Sequence, residues 1–334
     1  MQLYAGLDVH SDFTYGTIMD EQGNHVRELK VSTNPTGFSL LFKELRQRNK
    51  IKAVFEASRS WSYSAKLLKE QGVESIMAHP LKVRAIASAR IKTDSIDSRT
   101  LAHLLRADLI PQSYMPPDSI VELRNLMRYR VRLGRMGAQI KNAIRSVLAR
   151  EGHKCEWTDP TAKKAKLWLN HLVLSEQNRR EITHFYLHLD KIRDEIKDIE
   201  EEISKESAKY SEVKLITSIP GFAEYAALLI LAEIGDIKRF ETPEKLAAYA
   251  GLVSSTYQSG NGCYQGKITK QGSKWLRWIL VECCNISIRK ENRLQRFYLK
   301  LRAKKGHQKA IVATARKTLT IIWTLLHKQQ MFHP

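Results

Sequence analysis

The chain has 334 residues and a formal net charge of +20, from 55 Lys and Arg against 35 Asp and Glu. So large an excess excludes an ordinary enzyme of small metabolites and points to an extended polyanion, either nucleic acid or an anionic membrane surface. The hydrophobic fraction of 43% is that of a folded protein, and at roughly 150 residues per domain the length predicts about two domains. The longest aliphatic run, Ala226 to Ala232, falls far short of the roughly 20 residues a membrane span needs. The opening MQLYAGLDVH lacks a basic stretch followed by an apolar one, so no secretory signal is read there. Cys155, Cys263, Cys283 and Cys284 have neither metal-ligand spacing nor a disulfide framework, and the expected compartment is the reducing cytoplasm.

In chain order, residues 2–9 and 12–19 are rich in β-formers, and residues 25–31 follow a turn at Asp20-Glu21-Gln22-Gly23-Asn24. These three segments predict an antiparallel meander. A helix follows Asn34-Pro35, with Phe38, Leu41, Phe42 and Leu45 at helical spacing. Residues 51–55 and 73–78 then read as strands with a helix over 63–71 between them, and 94–106 reads as a helix with Ile96, Leu101, Leu104 and Leu105 inward. A meander followed by strand–helix alternation predicts a mixed sheet flanked by helices.

Beyond residue 111 the texture becomes helical. A heptad seam runs through Leu126, Tyr129, Leu133, Met136, Ile140, Ala143 and Val147. A second, stricter one runs through Ile182, Phe185, Leu189, Ile192, Ile196, Ile199 and Ile203. Two long helices joined near Gly152 and Pro160 predict an antiparallel hairpin, or seams that pair between subunits. Ile219-Pro220-Gly221-Phe222, between apolar helical stretches, is similar to a helix-hairpin-helix turn. A Ser- and Gly-rich loop over 254–266 and helices from Ser273 and over 309–328 complete the chain. The predicted fold class is thus α/β plus all-α. It comprises an α/β domain over 1–110, a coiled-coil helical arm over 111–211 and a mainly helical domain over 212–330.

Four carboxylates stand out. Asp8 ends the first strand, Glu56 ends the fourth, and Asp94 and Asp97 sit three apart at a helix start, on one face. Strand ends lie on the rim of a sheet, and the helix can bring its pair to the same rim. Four carboxylates in one place repel unless cations neutralise them, and two Mg²⁺ ions about 4 Å apart, with Mn²⁺ able to substitute, suit chemistry at phosphorus. Taken singly, each acid is better explained as a turn residue, a cap or a helix N-terminal charge; all four in this order on this strand pattern favour the metal site. His10, beside Asp8, reads first as a structural histidine, with contact to metal or substrate the sharper alternative.

These residues carry a resemblance. Leu7-Asp8, Phe55-Glu56 and Thr93-Asp94-Ser95-Ile96-Asp97-Ser98-Arg99 resemble the RuvC-like, ribonuclease-H-type nuclease domain of DEDD insertion-sequence transposases. That family includes Piv-type DNA invertases and bridge-RNA-guided recombinases. Ser98 stands where Ala is usual. The second half is similar to the family's C-terminal transposase domain, through Ile219-Pro220-Gly221, Ala250-Gly251-Leu252 and Tyr257-Gln258-Ser259-Gly260. By residues alone Ser259 is a hydroxyl on a Ser-Gly turn with Lys267 and Lys270 nearby; the resemblance implies that it is the nucleophile. The common Gly-Leu-x-Pro is Gly251-Leu252-Val253-Ser254 here, without Pro.

The resemblance further implies double-stranded DNA at the element's ends and target, a structured non-coding guide RNA, and a homo-oligomer, dimer or tetramer, whose subunits share composite sites. Candidate nucleic-acid contacts are Lys92 and Arg99 beside the acidic motif, and Arg128, Arg132 and Arg135 on the first long helix. Lys267, Lys270, Lys304 and Lys305 extend the set toward the C-terminus. The expected function is a DNA recombinase of an insertion sequence, working in a prokaryotic cytoplasm at the nucleoid. The alternatives are a junction-resolving endonuclease that uses water, and a catalytically silent nucleic-acid-binding protein.

Overall fold

A computed structural model describes residues 1–87, 93–259 and 262–333, with Ser259, Cys263 and Gln265 described in backbone only. They form two compact units, Met1–Pro116 and Pro117–Pro334.

The first unit is built on a five-stranded sheet of order β3-β2-β1-β4-β5. Strands β1 (Gln2–Val9), β2 (Phe13–Met19) and β3 (His25–Ser32) form the predicted antiparallel meander. β4 (Lys50–Glu56) pairs parallel with β1, and β5 (Glu74–Ala78) parallel with β4. A mixed sheet in this order is compatible with a RuvC-like fold. Period-two alternation sorts the side chains of β1 onto two faces. Leu3, Ala5 and Leu7 pack with Phe38, Leu41 and Phe42 of α1 (Pro35–Phe42) and with Leu67 and Leu68 of α2 (Trp61–Glu70). The opposite face carries Tyr4, Val54, Ile76 and Ala78 against Leu101, Leu104 and Leu105 of α4 (Asp94–Arg106). A short helix, α3 (Pro80–Ile86), also packs there through Val83. No periodic run announces it, only Pro80 at its first turn.

Helix α4 crosses the sheet at Gly6. A Cβ on Gly6 would lie 2.0 Å from the carbonyl oxygen of Ser98 and 2.4 Å from the amide nitrogen of Ala102. Only glycine permits so close an approach of backbone to backbone. The buried Ser98 hydroxyl is 2.7 Å from that of Thr17 and donates to Ser95 O at 3.0 Å. A serine where alanine is common therefore adds a cross-element hydrogen bond without adding bulk.

In the second unit, α5 (Asp118–Arg150) and α7 (Glu176–Ser207) lie antiparallel, with α6 (Lys163–Asn170) in their connection. Arg150 meets Glu181 at 2.6 Å near one end, and Arg130 meets Glu200 at 2.6 Å farther along. Ile182, Leu189, Ile192, Ile199 and Ile203 of the stricter seam are buried within this chain. The α5 seam needs correction. Tyr129 and Met136 are 43% and 48% exposed, whereas Met127, Val131, Ile144 and Leu148 are buried. α5 packs against α7 and also against α9 (Glu224–Ile234), so its apolar stripe is wider than, and rotated from, a seam read for one partner.

α9 is buried on all sides from Ala226 to Ile234, at the centre of the largest core. The Pro220-Gly221 turn joining it to α8 (Glu212–Thr217) buries Ile219 and Phe222, and Gly221 backs onto the Ser287 backbone in α11 (Lys274–Ser287). That turn is thus a packing device of the core. The last helix, α12 (Arg293–Lys328), is broken at Gly306, and its second part matches the predicted 309–328 segment.

One carboxylate, Glu233, is fully buried in this core. Arg128 donates to both of its oxygens at 2.7 and 3.0 Å, and Ser273 Oγ, the N-cap of α11, donates at 2.8 Å. Removing one partner of a buried pair strands the other. Glu233→Ala should therefore cost about 3 kcal/mol, toward the lower end for such pairs because Arg128 keeps some solvent. At roughly 2–4 °C per kcal/mol for a unit of this size, the melting temperature should fall by about 10 °C. Arg128→Met with Glu233→Leu should recover most of the loss; a single variant as stable as wild type would refute the assignment.

Candidate active site

Asp8 stands at the end of β1 on the α4 face of the sheet. The parallel register of β1 with β4 ends at Leu7↔Phe55, and Glu56 is the next residue and the last of β4, at the same edge of the sheet; Glu56 and Asp97 are not in the close group that Asp8 forms. The third acid comes from α4, whose start is set by Thr93: its hydroxyl accepts from the Ile96 amide at 3.2 Å, an N-cap that makes Asp94 the first helical residue. Asp97 follows in the same first turn. The Thr-Asp-x-x-Asp pattern is thus a capping signal and an acidic pair in one segment.

Asp8, His10 and Asp94 each place a ligand atom within 4.8 Å of the others. His10 Nε2 is 3.2 Å from Asp8 Oδ2 and 3.5 Å from Asp94 Oδ1. Burial pushes the Asp8 carboxyl above the usual carboxylate range; His10 opposes the shift, while the Asp94 and Asp97 charges add to it. This donor set fits a divalent cation: two carboxylates and an imidazole converge, and the anion most disfavoured there is the one a cation would relieve. The structure groups His10 with Asp8 and Asp94, which its place two residues after Asp8 only hints at.

Glu28, on β3, is the residue that sequence reasoning misses. Its carboxylate accepts from Ser95 Oγ at 2.5 Å, Tyr15 Oη at 2.9 Å and Arg99 at 3.2 Å. The Ser95 hydroxyl, with Tyr15 and Arg99 adding, holds the Glu28 carboxyl below its ordinary range. This ties the first turn of α4, and with it Asp94, to the antiparallel half of the sheet. An acid on an alternating edge strand carries no signal of that kind.

In the second unit, the expected Ser- and Gly-rich loop is an antiparallel ribbon, β6 (Ser254–Ser259) with β7 (Gly262–Ile268). Thr256, Tyr257, Tyr264 and Ile268 supply the β-formers that the Ser- and Gly-rich composition obscures. Ser259 pairs with Gly262 at the far end of the strands. The foot is clamped by Gly251 and Gly272, both at positive φ (66° and 85°). A Cβ on Gly272 would lie 2.0 Å from Tyr249 O, which ties the end of α10 (Pro243–Tyr249) to the start of α11.

Of the candidate nucleic-acid residues, Arg132, Arg135, Lys267, Lys270, Lys304 and Lys305 are exposed. The Arg135 guanidinium lies 4.6 Å from the Trp275 ring centroid. Arg99 and Arg128 are engaged with Glu28 and Glu233. Lys92 lies outside the described residues. No helix among the described residues is long and apolar enough to cross a membrane.

The end of β1 and the capped start of α4 bring Asp8, His10 and Asp94 together as a possible metal-binding group. The chain belongs to the DEDD insertion-sequence transposases. A DEDD transposase model of the IS110 type matches residues 5–151, and the model of the transposase IS116/IS110/IS902 family matches residues 213–299. The transposase for insertion sequence element IS1111A of Coxiella burnetii is 26% identical over 84% of this chain and 78% of its own length. An insertion element IS116 uncharacterized 44.8 kDa protein of Streptomyces clavuligerus is 22% identical over 100% and 96%. A probable family 20 transposase of Pseudomonas aeruginosa is 24% identical over 84% and 85%. The protein is accordingly a transposase, an enzyme acting on DNA, whose DEDD domain implies a divalent metal.

Proposed function

We propose that this transposase cuts and rejoins DNA through a covalent phosphoserine link, with Asp8, Glu56, Asp94 and Asp97 holding two Mg²⁺ ions and Ser259 as nucleophile. The observation that carries the metal half is the convergence of Asp8, His10 and Asp94 within 4.8 Å on a rim that Glu56 shares. Bound there, divalent ions neutralise charge on the scissile phosphate and favour the ionised form of an attacking oxygen. Asp8 and Asp94 hold the cations in place, and Glu28 keeps the α4 turn from shifting as charge builds.

At the second centre the Ser259 oxygen bonds to phosphorus, its proton leaves to solvent, and the bridging deoxyribose oxygen departs with the P–O electron pair. A strand hydroxyl reverses the step by attacking the same phosphorus, so the bond energy is retained and no nucleotide cofactor is consumed. The exposed Lys267 and Lys270 suit the phosphate charge. The charge of +20 supports broad backbone tracking, consistent with a structured guide RNA that chooses the DNA by base pairing. The reading places the protein in a prokaryotic cytoplasm, at the nucleoid, as a homo-oligomer.

The test combines purified protein, Mg²⁺, DNA spanning the element's joined ends and RNA transcribed from its flanking non-coding segment. Products are resolved on a denaturing gel with and without protease. The expected result is a protease-sensitive protein–DNA adduct that disappears in Ser259→Ala. Free-ended cleavage unchanged in that variant would replace serine by water as the nucleophile.

A further inference from the structure

The β6–β7 ribbon carries its two largest side chains in the open. Tyr257 and Tyr264 are directly paired across the strands and are 66% and 68% exposed. Their ring centroids lie 6.3 Å apart at an interplanar angle of 32°. At that spacing and tilt the two rings are not stacked face to face on each other. Gly266, on the paired strand, leaves room for the Ser255 side chain beside the Tyr257 ring: a Cβ there would sit 2.4 Å from Ser255 Oγ and 3.6 Å from the ring. The opposite-parity positions Thr256 and Gln258 are exposed as well. A two-stranded ribbon standing in solvent gains little by displaying two aromatics, because most of the benefit of an aromatic comes from burial.

The surrounding charge selects the kind of partner that covers them. From Lys245 through Val281 there is no Asp or Glu, while Lys245, Lys267, Lys270, Lys274 and Arg277 are present. Exposed aromatics in a one-signed positive segment match a strand of nucleic acid, whose bases offer π-faces and whose backbone offers phosphates. Ser259 lies two residues along the strand from Tyr257, about 7 Å at ordinary strand rise. We propose that Tyr257 and Tyr264 form a platform on which an unpaired base of the DNA strand stacks beside the phosphate attacked at Ser259. This inference rests on the serine reading. It adds a substrate-positioning pair that holds the cleaved strand by a base of any identity.

The full-length protein is titrated at fixed salt with a short fluorescein-labelled single-stranded DNA, and with the same oligonucleotide carrying abasic sugars in place of bases. Each protein thus yields a ratio of affinities, which cancels the backbone electrostatics. Wild type should favour the base-bearing strand by about tenfold or more. Tyr257→Phe with Tyr264→Phe should keep that ratio, since the ring is retained. Tyr257→Val with Tyr264→Val, which introduces β-branched side chains suited to a strand, should reduce it to below about threefold. A ratio unchanged in the valine variant overturns the proposal, as does a ratio lost in the phenylalanine variant. A valine variant whose free protein sediments differently while its base preference persists assigns the pair to contact between copies instead. Running the adduct assay in parallel separates the two readings. An adduct with no base preference removes the platform alone, whereas base preference with no adduct removes the serine and leaves the platform.

Discussion

Asp8→Asn should lower the rate of DNA strand cleavage by roughly a thousandfold or more, and raise the melting temperature measured in chelator. The substitution keeps shape and an oxygen that can still accept from His10, but removes the charge. Losing one anionic ligand from a metal centre forfeits several kcal/mol of transition-state stabilisation, at about 1.4 kcal/mol per decade of rate. The stability gain follows from the sign of the Asp8 shift. Burial, with the Asp94 and Asp97 charges adding, raises the folded-state pKa, so the folded state binds more protons than the unfolded chain across the window between the two pKa values. Stability contributed by this group therefore falls as pH rises through that window, and at neutral pH without metal the ionised carboxylate is a cost.

Asparagine removes that cost. Saturating divalent cation removes it in the wild type instead, so the stability advantage of the variant should shrink or reverse when metal is added. Calorimetric titration with Mn²⁺ should show weakened binding in parallel. Activity near wild type, or a lower melting temperature in chelator, would count against Asp8 as a strained metal ligand. On acidification at subsaturating Mn²⁺, metal binding should begin to weaken at a higher pH than an unshifted aspartate would require, because the proton competes with the cation for Asp8.

The second large effect comes from a residue that touches no ligand. Gly6→Ala should lower the melting temperature of the first unit by more than about 10 °C and weaken Mn²⁺ binding. The added carbon would meet backbone atoms at 2.0 and 2.4 Å, and neither Ser98 O nor Ala102 N can swing aside as a side chain does. α4 must lift from β1, and overpacking of this kind costs about 3 kcal/mol. The helix carries Asp94 and Asp97 at its first turn, so displacing it draws Asp94 away from Asp8 although none of the candidate ligand residues is mutated. Shortening the Ser98 side chain should not rescue the variant, since the clash is with its carbonyl. A stable Gly6→Ala protein with unaltered metal affinity would show that the helix is not held to the sheet at this point.

The places of the four acids at strand ends and a helix start were legible because they follow local rules. Asp8 and Glu56 end strands that their β-formers announce, and Thr93 caps the helix that begins at Asp94. His10 and Glu28 were less so. Glu28 gains its role from Ser95 and Arg99, 67 and 71 residues away, and nothing in an alternating strand records such partners. In the same way Arg128 reads as one cation among many on α5, until Glu233, 105 residues on, is found buried beneath it.

Sequence alone determined the strand order of the meander, the strict seam of α7, the capped acidic helix and the positively charged character, since each depends on residues within a few positions or on composition. Tertiary structure decided which stripe of α5 is buried, because that helix answers to both α7 and α9. It decided that the Ser- and Gly-rich segment is a ribbon, because pairing between β6 and β7 satisfies backbone groups that composition assigns to a loop. It also decided that Gly6 lets α4 settle close enough for Asp94 to reach Asp8. Local periodicity reports what a segment can form; the partner it meets in space sets which of its faces is used.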